Sequence, residues 1–309
     1  MSASIPERWR VVLAFAAIYI IWGSTYFFIR EALTGFPPML LGGLRFAAAG
    51  LLMLGWCAIT GQDIRPGRAL GLAALVGFLL LFVGNGVVVW VERTLPSSVV
   101  AILIAVAPLS FVLLDRPQWS VNLRSPSVLL GVIGGFAGVW LLFSGRLAAQ
   151  VSADAWAEER TALVWMVLAI TAWPAGSLLA KYRPSPLPAA VNTAWQMLSG
   201  AAAFLLAATA RGEWGGVQWQ AVPLRAWGAM AYLVVLGSLV GFSAYVWLLT
   251  VRPAAQVSTY AYVNPVVAVL FGVLLGEERL GWRELAGLGI ILTGVLLINL
   301  ARYRDRSRR

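Results

Sequence analysis

The chain alternates long apolar runs with short polar breaks, and the runs share nearly one length. They lie at about 11–29, 38–59, 69–91, 95–114, 126–143, 162–180, 188–209, 226–249, 254–275 and 284–301. A helix needs roughly 20 apolar residues to cross a bilayer core. Lipid offers backbone groups no partners, which selects helices over open strands. The runs are also too long for membrane-barrel strands of ~10 residues. The pattern therefore predicts an all-α membrane protein with ten transmembrane helices. The breaks are short except at about 144–161, which carries Asp154, Glu158 and Glu159, and about 210–225. Arg8 and Arg10 precede a first run of spanning length, unlike the short apolar core of a cleaved signal.

The two sides of the acidic break repeat one another. Pro96 and Pro108 stand twelve residues apart in the fourth run, as do Pro253 and Pro265 in the ninth, at an offset of 157. Gly131 and Gly138 in the fifth run answer Gly287 and Gly294 in the tenth, at an offset of 156. Trp22-Gly23-Ser24 is answered by Gly176-Ser177, and Arg45 by Gln196. Five helices per copy is odd, so the second copy is expected to enter the membrane from the other side. That gives two inverted-topology five-helix repeats around a central cavity. The expected organisation is a first repeat at 1–145, an external acidic linker at 146–160, a second repeat at 161–302 and a basic cytoplasmic tail at 303–309.

Composition sharpens this picture. The chain is 60% hydrophobic and 12% charged, against about 25% charged in soluble domains, and its mean hydropathy is +0.82. It has no histidine and one cysteine, Cys57. That excludes histidine-based catalytic triads, histidine-bound zinc, intramolecular disulfides and cysteine metal clusters. No phosphate loop, dinucleotide glycine pattern or metal motif is present, so no cofactor is expected. An integral-membrane enzyme is disfavoured for want of carboxylate and histidine clusters.

Candidate chemistry lies in the few polar residues inside the runs. Arg45 is the one ionisable charge away from their ends, and such a charge costs roughly 2.5–3.5 kcal/mol to insert. It either marks a site or, more simply, snorkels or pairs with a helix-end carbonyl. Away from their ends the runs hold no Asp, Glu or His, Glu284 standing at the very start of the tenth, which favours a facilitator or exchanger over proton coupling through a buried carboxylate. Gln256, Tyr260 and Asn264 are spaced i, i+4, i+8 along one helical face, widened by Ser258, Thr259 and Tyr262. Pro265 removes an N–H and leaves a carbonyl near residue 261 to bind an ammonium group beside Asn264. Tyr19, Trp22 and Tyr26 form an aromatic stripe that can stack on a solute or hold a cation. Asn85 sits between Gly84 and Gly86; Ser238, Phe242 and Tyr245 share a face, as do Trp173 and Ser177. Each group has an alternative as ordinary helix packing. Lys181 and Arg183 read as interface anchors. The candidate substrate-binding set is Trp22, Tyr26, Asn85, Trp173, Ser177, Tyr245, Gln256, Tyr260 and Asn264, with Pro108 and Pro265 as paired hinges.

Several motifs carry a family likeness. Trp22-Gly23-Ser24-Thr25-Tyr26, Pro37-Pro38, Arg45-Phe46, the Pro108 and Pro265 pair, and Gly276-Glu277-Glu278-Arg279-Leu280 occur in an order and spacing that resemble the drug/metabolite transporter superfamily. Within it they resemble the ten-helix EamA-type bacterial branch, over nearly the whole chain. The chain departs at Asp115-Arg116-Pro117, where members often carry a Gly-Glu-Arg-like turn. The resemblance implies a bacterial inner-membrane protein with both termini cytoplasmic. It also implies a central cavity lined mainly by helices one, three, four, six, eight and nine. The implied activity is export of small metabolites, chiefly neutral or aromatic amino acids; the alternative is efflux of drugs, purine-like compounds or sugars. The expected partners are a small-molecule substrate and the lipid bilayer, with no nucleic acid, and the chain is expected to be a monomer.

That topology also explains the net charge of +10. Cytoplasmic segments would hold fourteen Lys/Arg and four acids, external segments eight and nine. Basic residues concentrated inside are an orientation signal, which replaces the nucleic-acid reading of a basic chain.

Overall fold

The computed structural model describes residues 6–91, 103–150, 156–274 and 281–306. Pro96, the start of the fourth run, part of the acidic break, the motif at 276–280 and the end of the basic tail lie outside them. Every regular element among the described residues is helical. We label α1 Glu7–Leu33, α2 Pro38–Ile59, α3 Gly67–Val91, α4 Ala107–Leu114, α5 Pro126–Gln150 and α6 Trp156–Tyr182. They are followed by α7 Ala189–Ala210, α8 Leu224–Val251, α9 Tyr260–Leu274 and α10 Trp282–Arg306.

Among the described residues six helical stretches are long and apolar enough to cross a bilayer: α1, α2, α3, Val164–Tyr182 of α6, α7 and α8. Arg116–Asn122 and Pro126–Leu141 together make a seventh if counted as one span, although they bend by 100°. The ten apolar runs are thus matched only in part by continuous membrane-length helices. In the ninth run, turns at Ser258 and Thr259 separate Ala254–Val257 from α9. The cause is local. Ser258 Oγ donates to the Ala255 carbonyl at 3.0 Å and Thr259 Oγ1 to the Gln256 carbonyl at 2.7 Å, so hydroxyls take over carbonyls next to the break.

Proline starts helices more often than it bends them. Pro6, Pro37, Pro188 and Pro223 are the N-caps of α1, α2, α7 and α8, where no helical N–H is lost. Pro253, read above as lying within the ninth helix, is also an N-cap. Pro108 occupies the first turn of α4, after a turn at Ala105 and Val106, while Pro265 stands inside α9.

The chain divides into two compact units. One comprises Met1–Phe82 and Leu179–Arg252; the other comprises Val83–Leu178 and Pro253–Arg309. In the first unit α2 and α7 pack antiparallel. Phe204 lies over Gly42, Leu205 over Gly43 and Leu198 over Gly50, so one helix ascends as the other descends. Beyond them Cys57 is buried with Val191 and Ala194. Two further contacts flank this pair: α2 meets the central part of α8, and α7 meets the start of α3.

The second unit is built on α5 and α10, also antiparallel. A Cβ on Gly131 would lie 2.7 Å from the Gly294 carbonyl oxygen, and one on Gly138 2.9 Å from that of Gly287. These four glycines are the ones the sequence repeat pairs, and they let the two backbones touch. Gly134, on the same helix as Gly131 and Gly138, faces open space.

Candidate functional site

The first unit holds a buried polar and aromatic cluster at the middle of its long helices. Its framework is α8, whose residues Leu233–Phe242 form a π-helix. The wider turn shifts the hydrogen-bond ladder and offers carbonyls to other partners, and such stretches recur at functional sites. Trp22, near the middle of α1, donates its indole N–H to the Gly237 carbonyl at 3.1 Å. Its ring lies 5.1 Å from that of Tyr245, and Tyr245 packs in turn on Phe242. One helical turn nearer the start of α8, Ser24 Oγ and Tyr232 Oη are 2.6 Å apart, and Phe28 stacks on Tyr232 at 3.7 Å.

Arg45 enters the same cluster from α2. Its side chain is 6% exposed. Nε donates to Ser238 Oγ at 2.9 Å, and the guanidinium lies 4.8 Å from the Phe46 ring centroid. Gly237 makes the room: a Cβ there would stand 2.9 Å from Arg45 Nη2 and 3.4 Å from the Thr25 methyl. Among the described residues no carboxylate pairs with this guanidinium, and its one hydrogen bond is that to Ser238. The snorkelling reading is therefore corrected. The head group reaches inward to mid-span residues of α8, and its partner is a hydroxyl rather than a helix-end carbonyl.

The structure thus brings Trp22 and Tyr245 together, with Tyr26 half-buried one turn further along α1. It adds Arg45, Ser24, Tyr232 and Ser238. Arg45 carried a signal in sequence as the lone charge in the interior of the runs; Tyr232 carried none. Lys181, read above as an interface anchor, instead donates to the carbonyls of Leu249 and Arg252 at 2.6 and 2.7 Å. It therefore caps the end of α8, as a cation does well at a helix C-terminus.

The remaining candidates belong to the second unit. Asn85 is half-buried in a second π-helical stretch, Phe78–Gly86. Ser177 is buried and bonds the Trp173 carbonyl of its own helix at 2.7 Å. Gln256, Tyr260 and Asn264 are all buried, but the break at 258–259 interrupts the continuous i, i+4, i+8 face expected of them. The Asn264 side-chain oxygen has no hydrogen-bond partner among the described residues. Tyr262 does not widen that stripe. Its hydroxyl donates to the Val132 carbonyl at 2.9 Å and its ring covers Gly135, so it joins α9 to α5.

Membrane-length helices around a buried polar and aromatic cluster define a multi-pass membrane protein with the makings of a solute path. Residues 9–144 and 160–300 each match the EamA-like transporter family, and the chain belongs to that family. It is 36% identical over 292 residues to the uncharacterized inner membrane transporter YedA of Escherichia coli, covering 94% of this chain and 90% of that protein. It is 25% identical to the protein PecM of Dickeya dadantii, covering 90% and 88%. A solved crystal structure at 18% identity shares the fold, with a TM-score of 0.75 over 96% of this chain and 98% of its own. Family and relatives indicate a transporter of the inner membrane.

Proposed function

We propose that the protein exports small metabolites, chiefly neutral and aromatic amino acids, by alternating access as a facilitator or exchanger. The observation that carries this reading is the Trp22–Tyr245 pair at the middle of two membrane-length helices, anchored by the indole bond to Gly237. An aromatic wall beside hydroxyl groups suits a solute with an apolar side chain and a polar head. Within the same reading Tyr26 extends this wall in the first unit, and Asn85, Trp173, Ser177, Gln256, Tyr260 and Asn264 are the substrate-binding candidates of the second unit.

The architecture proposed is ten spans in two inverted repeats, at 1–145 and 161–302, with both termini cytoplasmic. Antiparallel packing of α2 with α7 and of α5 with α10 supports it, because equivalent helices of inverted repeats run in opposite directions. The turns at 105–106 and 258–259, next to Pro108 and Pro265, are the proposed flexing points.

The experiment is counterflow in proteoliposomes holding the purified protein. Preloaded phenylalanine should drive uptake of labelled phenylalanine without a pH gradient. Trp22→Ala and Tyr245→Ala should each reduce the rate about 10-fold or more, from lost stacking and contact area. Equal rates in both variants, or strict dependence on a pH gradient, would overturn the corresponding part of the proposal.

A further inference from the structure

We infer that Arg45 is the anion-binding residue of this transporter and takes the carboxylate of the transported solute. The inference rests on the amino-acid reading above and deepens it.

Arg45 is a cation buried in a membrane-length helix. Proteins tolerate such a charge when it is paired, or when it faces a path that brings it a partner. Here the pairing is incomplete. Among the described residues, Ser238 satisfies Nε and no carboxylate neutralises the charge. Ser238 is a neutral acceptor, so the positive charge persists in a setting where attraction to an anion is strengthened by low dielectric.

The head group is also held for use. Nε is pinned by Ser238, the guanidinium carbon lies over the Phe46 ring, and the missing side chain at Gly237 leaves space for Nη2. With Nε engaged, the terminal N–H groups remain to receive the two oxygens of a carboxylate, the geometry guanidinium is built for. The Trp22 indole and Thr25 border the same glycine-lined face of α8. Trp22 bonds the carbonyl of Gly237 and lies against Gly241, and the Thr25 methyl faces Gly237. A solute anchored through its carboxylate at Arg45 would thus have an aromatic surface close by. A structural role alone would be served as well by a neutral side chain bonding Ser238, without the cost of burying charge.

The test uses purified full-length protein and three related probes: phenylalanine, phenylalaninamide and 3-phenylpropionate. Binding is followed by tryptophan fluorescence and by thermal shift. Wild-type protein should bind phenylalanine about 10- to 100-fold more tightly than phenylalaninamide, the range expected for a charge-assisted bond. Arg45→Gln should lose that preference while still binding phenylalaninamide. Arg45→Lys should restore part of it, as a cation without the planar fork. If 3-phenylpropionate binds and phenylalanine does not, the amino-acid reading fails and the anion site stands. If wild-type protein does not distinguish acid from amide, the inference is overturned, and this comparison needs no variant to fold. A folded Arg45→Gln protein that keeps the preference, or loses both probes equally, overturns it as well.

Discussion

The two antiparallel helix pairs solve the same packing problem with different parts. In the α2–α7 pair, glycines on one helix receive large side chains from the other: Gly42 takes Phe204, Gly43 takes Leu205 and Gly50 takes Leu198. In the α5–α10 pair, glycines lie close to backbone, at Gly131 with Gly294 and Gly138 with Gly287. Side chains can change rotamer and repack; backbone carbonyls in a helix cannot move without breaking the ladder. Backbone stands nearer in the second seam, 2.7 and 2.9 Å from a Cβ at Gly131 and Gly138, than in the first, where the Ala194 carbonyl oxygen lies 3.1 Å from one at Gly50, so the first seam is the more adjustable of the two. The first seam lies in the unit that carries Arg45, Trp22 and Tyr245, and α2 contributes to both the seam and the cluster.

The largest effect should come from crowding the second seam. In Gly138→Ala the new methyl would stand 2.8 Å from the Ile291 backbone nitrogen and 2.9 Å from the Gly287 carbonyl oxygen. Gly→Ala in a helix interior otherwise stabilises by about 1 kcal/mol, so the expected net loss of about 3 kcal/mol would carry the opposite sign from propensity. Thermal unfolding in detergent measures it, and unchanged stability would break the comparison. Next, Gly237→Ala should push the Arg45 guanidinium from its place and slow phenylalanine counterflow about 10-fold, a difference of about 1.4 kcal/mol. Transport at the wild-type rate would show that the head group has another position of equal use.

Tyr262→Phe removes one hydrogen bond to the Val132 carbonyl while keeping the ring over Gly135. A loss of about 1 kcal/mol is expected in the same unfolding assay; a larger loss would mean that the bond, rather than the glycine contacts, holds α9 to α5. The smallest effect belongs to Gly43→Ala, whose new methyl meets the Leu205 side chain first and the Leu205 backbone nitrogen only at 3.3 Å. A cost below about 1 kcal/mol is expected, since the leucine can turn aside. A cost equal to that of Gly138→Ala would erase the distinction between the seams.

Much of the fold was legible because hydropathy is a local property. The run at 38–59 coincides with α2, and 188–209 differs from α7 by one residue at each end. The paired glycines were legible as a repeat, though their spacing did not say that they would face one another. What could not be read depends on partners far away in sequence or on ladder geometry. Arg45 showed as a lone charge, but Ser238 lies 193 residues on. Tyr262 belonged by spacing to a polar stripe, and its bond to Val132 takes it elsewhere. The break at 258–259 follows from hydroxyls bonding back to carbonyls, which apolar periodicity does not register. The π-helical stretches are equally silent, since their composition is that of any apolar helix.

Those two stretches also carry a record of descent. Phe78–Gly86 lies in the part of the chain matching the family at 9–144, and Leu233–Phe242 in the part matching it at 160–300, at corresponding places. A π-turn accommodates one residue more than an α-turn over the same rise, so each behaves as a one-residue insertion absorbed without breaking the helix. Two separate insertions at equivalent positions are a less economical history than one. One insertion in a common precursor of the two repeats accounts for both, and a relative built of a single repeat should carry the extra residue at the same place.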